Sequence, residues 1–457
     1  MTIWNPGVLP SDAPLYRAIA DAIARDVKNG RLKPGDQLPT HRELADRLGV
    51  TVGTITRSYA ETSRRGLTRG ETGRGTYIGS ASNSEPTFEH LEDSTDAAVD
   101  MGINIPLSFL DPDLSETFRK LSLRTDLQSA LRYYPSRGAF HDRELAASWL
   151  MEQHRLEASP DNILITSGGQ HALTVALSGA FRPGDTIAVE RTTYPMIKTL
   201  ARRFNLRLFP IAMDDEGMIP ECLEEACDIN KIHGIYCMPS AHNPTTAIMS
   251  GDRRLRLGQV ADRHHLLILE DDAYALLNEH RLTPISGLFP SLGFHIASFS
   301  KPVTPGLRFG YLSVPESYVK RIEHAIADTQ WMASPLSARI ARDWILDGTA
   351  ISTISRKQQE ARRRNLLCRS ILDGQMLHSI DTGYFVWLEL PKDWTASDFA
   401  REASEKKVIV TPLEHYLVGR DRPDHEAVRI AISGPESLPQ LEHGLRVIRD
   451  LLDEPEF

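Results

Sequence analysis

Three short stretches of this 457-residue chain carry groups suited to covalent chemistry. Ser298-Phe299-Ser300-Lys301 sets an amine beside two hydroxyls, and Arg308 follows seven residues later. Asp271 stands three residues before Tyr274, directly after the candidate strand 266–270, so a carboxylate and a phenol emerge together from a strand end. Ser167-Gly168-Gly169-Gln170 follows the apolar run 162–166 and opens a helical stretch, where glycines expose backbone N–H groups to an anion. A lysine condenses with an aldehyde, a carboxylate keeps a ring nitrogen protonated, and N–H and guanidinium donors hold a phosphate. Those are the requirements of pyridoxal 5'-phosphate (PLP).

The elements that must position these groups read as an alternation. Candidate strands at 162–166, 186–190, 207–211, 234–238, 266–270, 295–298 and 309–314 are separated by helical stretches such as 170–180 and 253–264. This predicts an α/β fold with a mostly parallel sheet covered on both faces. The pattern changes after about residue 330. A long basic helix at 355–372 precedes a strand at 384–390, a helix near 397–407, short strands at 408–410 and 428–432, and a last helix at 438–452. Residues 101 to about 330 are therefore expected to form a large lobe, and 331–457 a smaller α+β lobe.

The lysine loop and the Asp271–Tyr274 pair resemble those of fold-type I PLP-dependent aminotransferases. The resemblance implies Lys301 as the Schiff-base amine, Asp271 on the pyridine nitrogen, and Tyr274 and Asn243 on the phenolic oxygen. Lys301, Asp271 and Tyr274 form the implied catalytic set. Ser298, Ser300 and Arg308 would surround the phosphate with the Gly168-Gly169-Gln170 turn, and Tyr194 would stack on the ring. Tyr133 resembles the tyrosine that reaches the phosphate of a neighbouring subunit. Arg429 matches the arginine that clamps a substrate carboxylate bidentately. Two departures stand out: Pro244-Thr245-Thr246 where Pro-Thr-Gly is common, and His171 where a second glutamine is frequent.

The first 80 residues read differently. Apolar residues at 15, 19, 23 and 27 mark a helix over about 15–30. Thr40 with Glu43 predicts a capping box for a second helix ending at Gly49. Thr51 caps a third helix that ends near Gly66, and short strands at 67–69 and 75–78 flank a Gly-rich turn. Leu44, Ala45, Leu48 and Val50 would pack the helices together. Leu38-Pro39-Thr40-His41-Arg42-Glu43 and Gly49-Val50-Thr51-Val52-Gly53-Thr54, with Arg57, resemble the GntR-type winged helix-turn-helix. The resemblance implies DNA contacts from Thr40, Arg42, Thr51, Gly53, Thr54 and Arg57, with Arg74 and Gly75 at the wing tip.

Charge supports this division. Residues 1–80 hold 12 Lys/Arg against 8 Asp/Glu, whereas the rest hold 40 against 53, so phosphate contacts are expected from the head alone. Residues 81–100 contain six acidic residues and no Lys or Arg, and read as a linker. No apolar run approaches the roughly 18 residues of a membrane span, and the N-terminus shows no secretory pattern. A cytoplasmic location is expected. The four cysteines form no C-x-x-C pair, and no metal site is expected.

Taken whole, the chain is similar to the MocR-type subfamily of GntR transcriptional regulators. That resemblance implies a homodimer on a double-stranded DNA operator, sensing a small amino compound or PLP itself through Lys301. The alternative is a working aminotransferase with an accessory DNA-binding head. A third reading is a dimerisation scaffold with a decayed site.

Overall fold

Apolar runs without polar alternation suit strands buried on both faces, and here they close into a seven-stranded sheet. Its strands are β1 (Ile163–Thr166), β2 (Thr186–Glu190), β3 (Arg207–Ile211), β4 (Gly234–Cys237), β5 (Leu267–Asp271), β6 (Gly293–Ser298) and β7 (Gly310–Ser313), in spatial order 1-7-6-5-4-2-3. Only β7 runs antiparallel to its neighbours. Every residue of β1, β4, β5 and β6 is buried. The computed structural model describes residues 4–6, 15–29, 31–33, 35–64, 67–71, 75–78, 98–419, 423 and 425–453. The chain forms two units, Met1–Asp96 and Ala97–Phe457.

Helices cover both sheet faces. Gly169–Ala180 and Val319–Gln330 bury Leu173, Ala176, Ile322 and Ile326 on one side. Gly251–Arg263 buries Leu257, Val260 and Ala261 on the other. The small lobe holds an antiparallel sheet in the order Leu377–Ser379, Phe385–Glu389, Ala427–Ala431, Thr411–Pro412. Helices Ala396–Glu405 and Leu438–Asp453 share its core through Phe399, Leu441 and Leu445.

Two expectations need correction. Val99–Asp100 falls within the span read as linker, yet it pairs in parallel with Val408–Ile409, and Val99 and Met101 lie in the small-lobe core. A two-residue strand has no period to read, and Asp100 made the segment look solvated. Most of the rest of that span, 81–97, lies outside the described residues. The long helix starts at Thr349 rather than 355, after Gly348 in a left-handed conformation at φ 80°. Two of its basic residues point into the protein. Lys357 and Arg364 are buried, the first paired with Asp111 at 2.6 Å and the second with Glu360 at 3.0 Å. Ala350 and Ile354, Ala361, and Cys368 enter three different apolar clusters, so this helix ties the lobes together.

The N-terminal unit packs Leu15–Lys28, His41–Leu48 and Val52–Arg64 beside the antiparallel ribbon Thr68–Glu71 and Gly75–Ile78. Ile19, Ile23, Leu38, Leu44, Ala45, Ile55, Tyr59 and Ile78 make its core, against which Leu48 and Val50 pack. No helix among the described residues is long and apolar enough to cross a membrane.

Candidate cofactor site and DNA-facing helix

Lys301 lies in the loop between β6 and β7. That loop is anchored by apolar burial of Phe299, Val303, Leu307 and Phe309. A polar tether adds to it: Thr304 donates to Asp111 Oδ2 at 2.7 Å, and Lys357 donates to Asp111 Oδ1 and to the Val303 carbonyl. The Lys301 amine donates to the Asn104 carbonyl at 2.6 Å and lies 5.8 Å from the centre of the Tyr274 ring. Burial, followed by the nearby cations of Arg429, Arg308 and Lys357, pulls this amine down to about 7.

Asp271 ends β5. Its Oδ2 accepts the Tyr236 hydroxyl at 2.9 Å and its Oδ1 accepts the Ala273 N–H at 3.3 Å. Burial raises its carboxyl to about 6, against the lowering effect of those two donors. The Tyr274 hydroxyl accepts from Asn104 Nδ2 at 2.8 Å, and Ser433 donates to Asn104 Oδ1 at 3.0 Å. Asn104 therefore links the lysine, the tyrosine and the small lobe.

The glycine turn forms a cradle. Gly168 has φ 85° and stands at the N-terminus of Gly169–Ala180. A Cβ at 168 would come within 3.0 Å of Arg308 Nη2, and one at 169 within 3.3 Å of Ser298 Cβ. Ser298 Oγ accepts from the N–H groups of Gly169 and Ser300. Arg308 donates to Ser300 Oγ at 3.2 Å and to the Ser167 carbonyl at 3.3 Å. The Tyr194 hydroxyl donates to Gln170 Oε1 at 3.5 Å. Helix-terminal N–H groups, hydroxyls and a guanidinium thus meet where a side chain would not fit, which suits a phosphate. The site lies beyond the C-terminal ends of β1, β5 and β6, the usual ligand side of such a sheet.

Arg429, on Ala427–Ala431, is only 7% exposed. It donates to Asn243 Oδ1 at 3.0 Å and to the Gly102 carbonyl, and its guanidinium sits 5.6 Å from the Phe385 ring and 5.3 Å from the Tyr416 ring. Its Nε is buried without a partner, leaving a donor for an incoming anion.

Both departures in the sequence are accommodated locally. Thr246 takes φ 64°, the left-handed conformation a glycine would adopt, and donates its N–H to the His242 carbonyl at 2.8 Å. His171 Nδ1 accepts the Ser167 N–H, its Nε2 meets Thr329, and burial lowers it to about 4, so the ring is neutral. Tyr133 is not brought to this site within one chain. It is 83% exposed, with its ring 6.1 Å from Trp331. Sequence reasoning missed Asn104, Tyr236 and Tyr384, whose hydroxyl donates to the Lys301 carbonyl at 3.2 Å. Tyr236 had a signal, since it lies on a recognised strand next to that of Asp271. Asn104 had none.

In the head, Thr40 and Glu43 form the reciprocal capping box, at 2.9 and 3.3 Å, and Gly49 closes the helix at φ 62°. Thr51 Oγ1 accepts the Thr54 N–H and contacts its hydroxyl at 3.0 Å, so these two hydroxyls start the third helix. Thr40, Arg42, Thr51, Gly53 and Arg57 are exposed, whereas Thr54 and Gly75 are half-buried. Arg74 lies outside the described residues.

Comparison with known proteins agrees with both halves. Residues 97–448 match the family "Aminotransferase class I and II", and residues 15–78 match "Bacterial regulatory proteins, gntR family". The chain is 32% identical to the uncharacterized HTH-type transcriptional regulator YdeF of Bacillus subtilis, over 99% of this chain and 97% of that protein. It is 25% identical to the HTH-type pyridoxine biosynthesis transcriptional regulator PdxR of Corynebacterium glutamicum, over 88% of each. An archaeal alanine:glyoxylate aminotransferase superposes with a TM-score of 0.73 at 24% identity, covering 80% of this chain and 93% of that one, a likeness of fold. The body is thus a fold-type I aminotransferase domain carrying a GntR-type winged helix-turn-helix. The chain belongs to the GntR transcriptional regulators of MocR architecture.

Proposed function

We propose that this regulator binds PLP at Lys301 and, as a homodimer in the cytoplasm, alters its grip on an operator when an amino compound or PLP itself occupies the body. One observation carries the reading: a lysine lowered to about 7 stands within one cluster that also holds a strand-end carboxylate and a glycine turn lined by Ser298, Ser300 and Arg308. When bound, PLP supplies an aldehyde that captures amines. Lys301 offers the neutral amine to hold it. Asp271, oriented by the Tyr236 hydroxyl, keeps a proton on the pyridine nitrogen, and Tyr274 and Asn243 orient the phenolic oxygen. Tyr194 covers the ring. Gly168, Gly169, Gln170, Ser298, Ser300 and Arg308 hold the phosphate. Arg429 takes a ligand carboxylate through its unpartnered donor.

The exposed apolar side chains Leu131, Tyr133 and Trp331 support a second copy docking there, with Tyr133 reaching its partner's phosphate. For ligand to act as a switch, it must favour one arrangement of the heads by a few kcal/mol. Thr40, Arg42, Thr51, Gly53, Thr54 and Arg57 meet the major groove, with Arg74 and Gly75 on the wing.

The test is binding of the full chain to a duplex taken from upstream of its own coding sequence, with and without PLP and a panel of amino acids. Affinity that changes with PLP or an amine in the wild type, and not in Lys301→Ala, supports the proposal. Affinity no better than for a random duplex, or indifferent to both ligands, contradicts it. Rapid single-turnover conversion of an amino acid to its keto acid would support the aminotransferase reading instead.

A further inference from the structure

Next to Asp271 in the chain lies a buried polar cluster that the proposed PLP site does not use. His154 ends the helix Phe140–His154, Asp272 follows β5, and His295 lies within β6. All three are buried, at 4%, 4% and 0% exposure. Among the described residues they form the one group of histidines and carboxylates with metal-ligand spacing. His154 Nδ1 and Asp272 Oδ2 are 3.5 Å apart, His295 Nε2 and Asp272 Oδ2 3.7 Å, and the two ring nitrogens 3.3 Å.

Hydrogen bonding accounts poorly for this triangle. Each edge is longer than the roughly 2.9–3.0 Å of a good N–H···O bond. The two ring nitrogens face each other, so one proton at most lies between them. Asp272 Oδ1 is buried with no partner. The point equidistant from the three atoms, in contrast, lies about 2.0 Å from each, the length of zinc bonds to imidazole and carboxylate.

The surrounding groups fit a metal ligand's needs. Ser286 gives its proton to Glu270 Oε2 at 2.7 Å, so its oxygen accepts from His295 Nδ1 at 3.3 Å. That places a proton on His295 Nδ1, so Nε2, which faces the triangle, is the nitrogen that can give its lone pair to a metal. A carboxylate behind a ligating histidine is the common supporting arrangement, and Glu270 Oε2 lies 3.8 Å from His295 Nδ1. Glu270 is held in turn by the N–H groups of Ile285 and Ser286. Glu270 and Asp272 bring two negative charges into the core against the single positive charge of the nearby buried Arg254, so a bound cation would have an anionic surround.

We propose that His154 Nδ1, His295 Nε2 and Asp272 Oδ2 bind one divalent transition-metal ion, zinc above all. The ion acts as a staple joining a helix to the ends of two strands, one residue from the carboxylate that faces the pyridine nitrogen. Metal binding and folding are coupled at such a site, since the ligands come together only in the folded chain.

The full chain is incubated with zinc chloride, desalted and its metal counted, and a parallel sample is loaded with cobalt(II). About one equivalent of zinc per chain is expected, with the intense visible bands of four-coordinate cobalt, a water or the unpartnered Asp272 Oδ1 completing the set. Both are lost in His154→Gln and His295→Gln and kept in Lys301→Ala, which removes PLP as a rival chelator. Removal of metal by a chelator lowers Tm in the wild type. Less than roughly a tenth of an equivalent, or a count unchanged in the histidine variants, overturns the proposal. Should the variants fail to fold, the wild-type cobalt spectrum decides: four-coordinate bands support the site, and the pale spectrum of aqueous cobalt refutes it.

Discussion

The Lys301 amine should capture PLP at a pH where an ordinary lysine scarcely reacts. Only the neutral amine is nucleophilic, so the protonated form below the pKa is inert and reactivity appears as pH rises through it. With the pKa at about 7 rather than 10.5, the neutral fraction at pH 7.5 is roughly 760 times larger than for a free side chain. The causes are burial first, then the Arg429, Arg308 and Lys357 cations, all held by the contacts described above. The assay is a stopped-flow record of the visible absorbance that develops when PLP meets PLP-free protein between about pH 5.5 and 9.5. Rates divided by those of a blocked free lysine isolate the effect of the site from the ionisation of PLP. The initial rate should rise with a midpoint near 7 and flatten above about 8. Arg429→Leu removes the first of the three cations and should move the midpoint upward. A rate still climbing tenfold per pH unit beyond pH 9 would refute the reasoning, because it would mean that the amine titrates like an exposed one.

Other perturbations probe the scaffold and the head. Asp111→Ala strips a fully buried ammonium, Lys357, of its counter-ion, which costs about 3 kcal/mol and lowers the Tm of the body by about 4 °C; adding Lys357→Met should recover most of the loss, and an unchanged Tm for the single variant would count against the tether. Thr40→Ala removes the hydroxyl that accepts the Glu43 N–H and should destabilise the head by about 1 kcal/mol in a denaturant titration of its own transition. Arg57→Ala should weaken operator binding by about 1–3 kcal/mol in a fluorescence-anisotropy titration if it reads a base; no loss would mean that this exposed position does not meet DNA.

Much of this arrangement was legible because local chemistry and global topology agreed. The lysine loop, the Asp271–Tyr274 pair and the Gly168–Gly169 turn all follow candidate strands, so each could be placed at a strand end from sequence alone. The Thr40–Glu43 capping box and Gly49 marked the second helix with the same clarity. What stayed hidden depends on contacts between distant positions. Asn104 joins Lys301, Tyr274 and Ser433 across some 170 to 330 residues of sequence, and nothing in its neighbours announces that role. Val99–Asp100 is too short to show alternation. The burial of Lys357 and Arg364 was not legible in the sequence, because burial of a paired cation leaves no mark in composition. His154, Asp272 and His295 converge from a helix end and two strands, with no spacing motif between them.

Lys301 is the proposed covalent seat of PLP in this regulator. Borohydride reduction of the full chain with PLP, followed by peptide mapping, tests it most directly. One pyridoxyl-modified residue, Lys301, is expected, with no modification in Lys301→Ala. Modification at another lysine, or an unmodified wild-type chain in excess PLP, would contradict it.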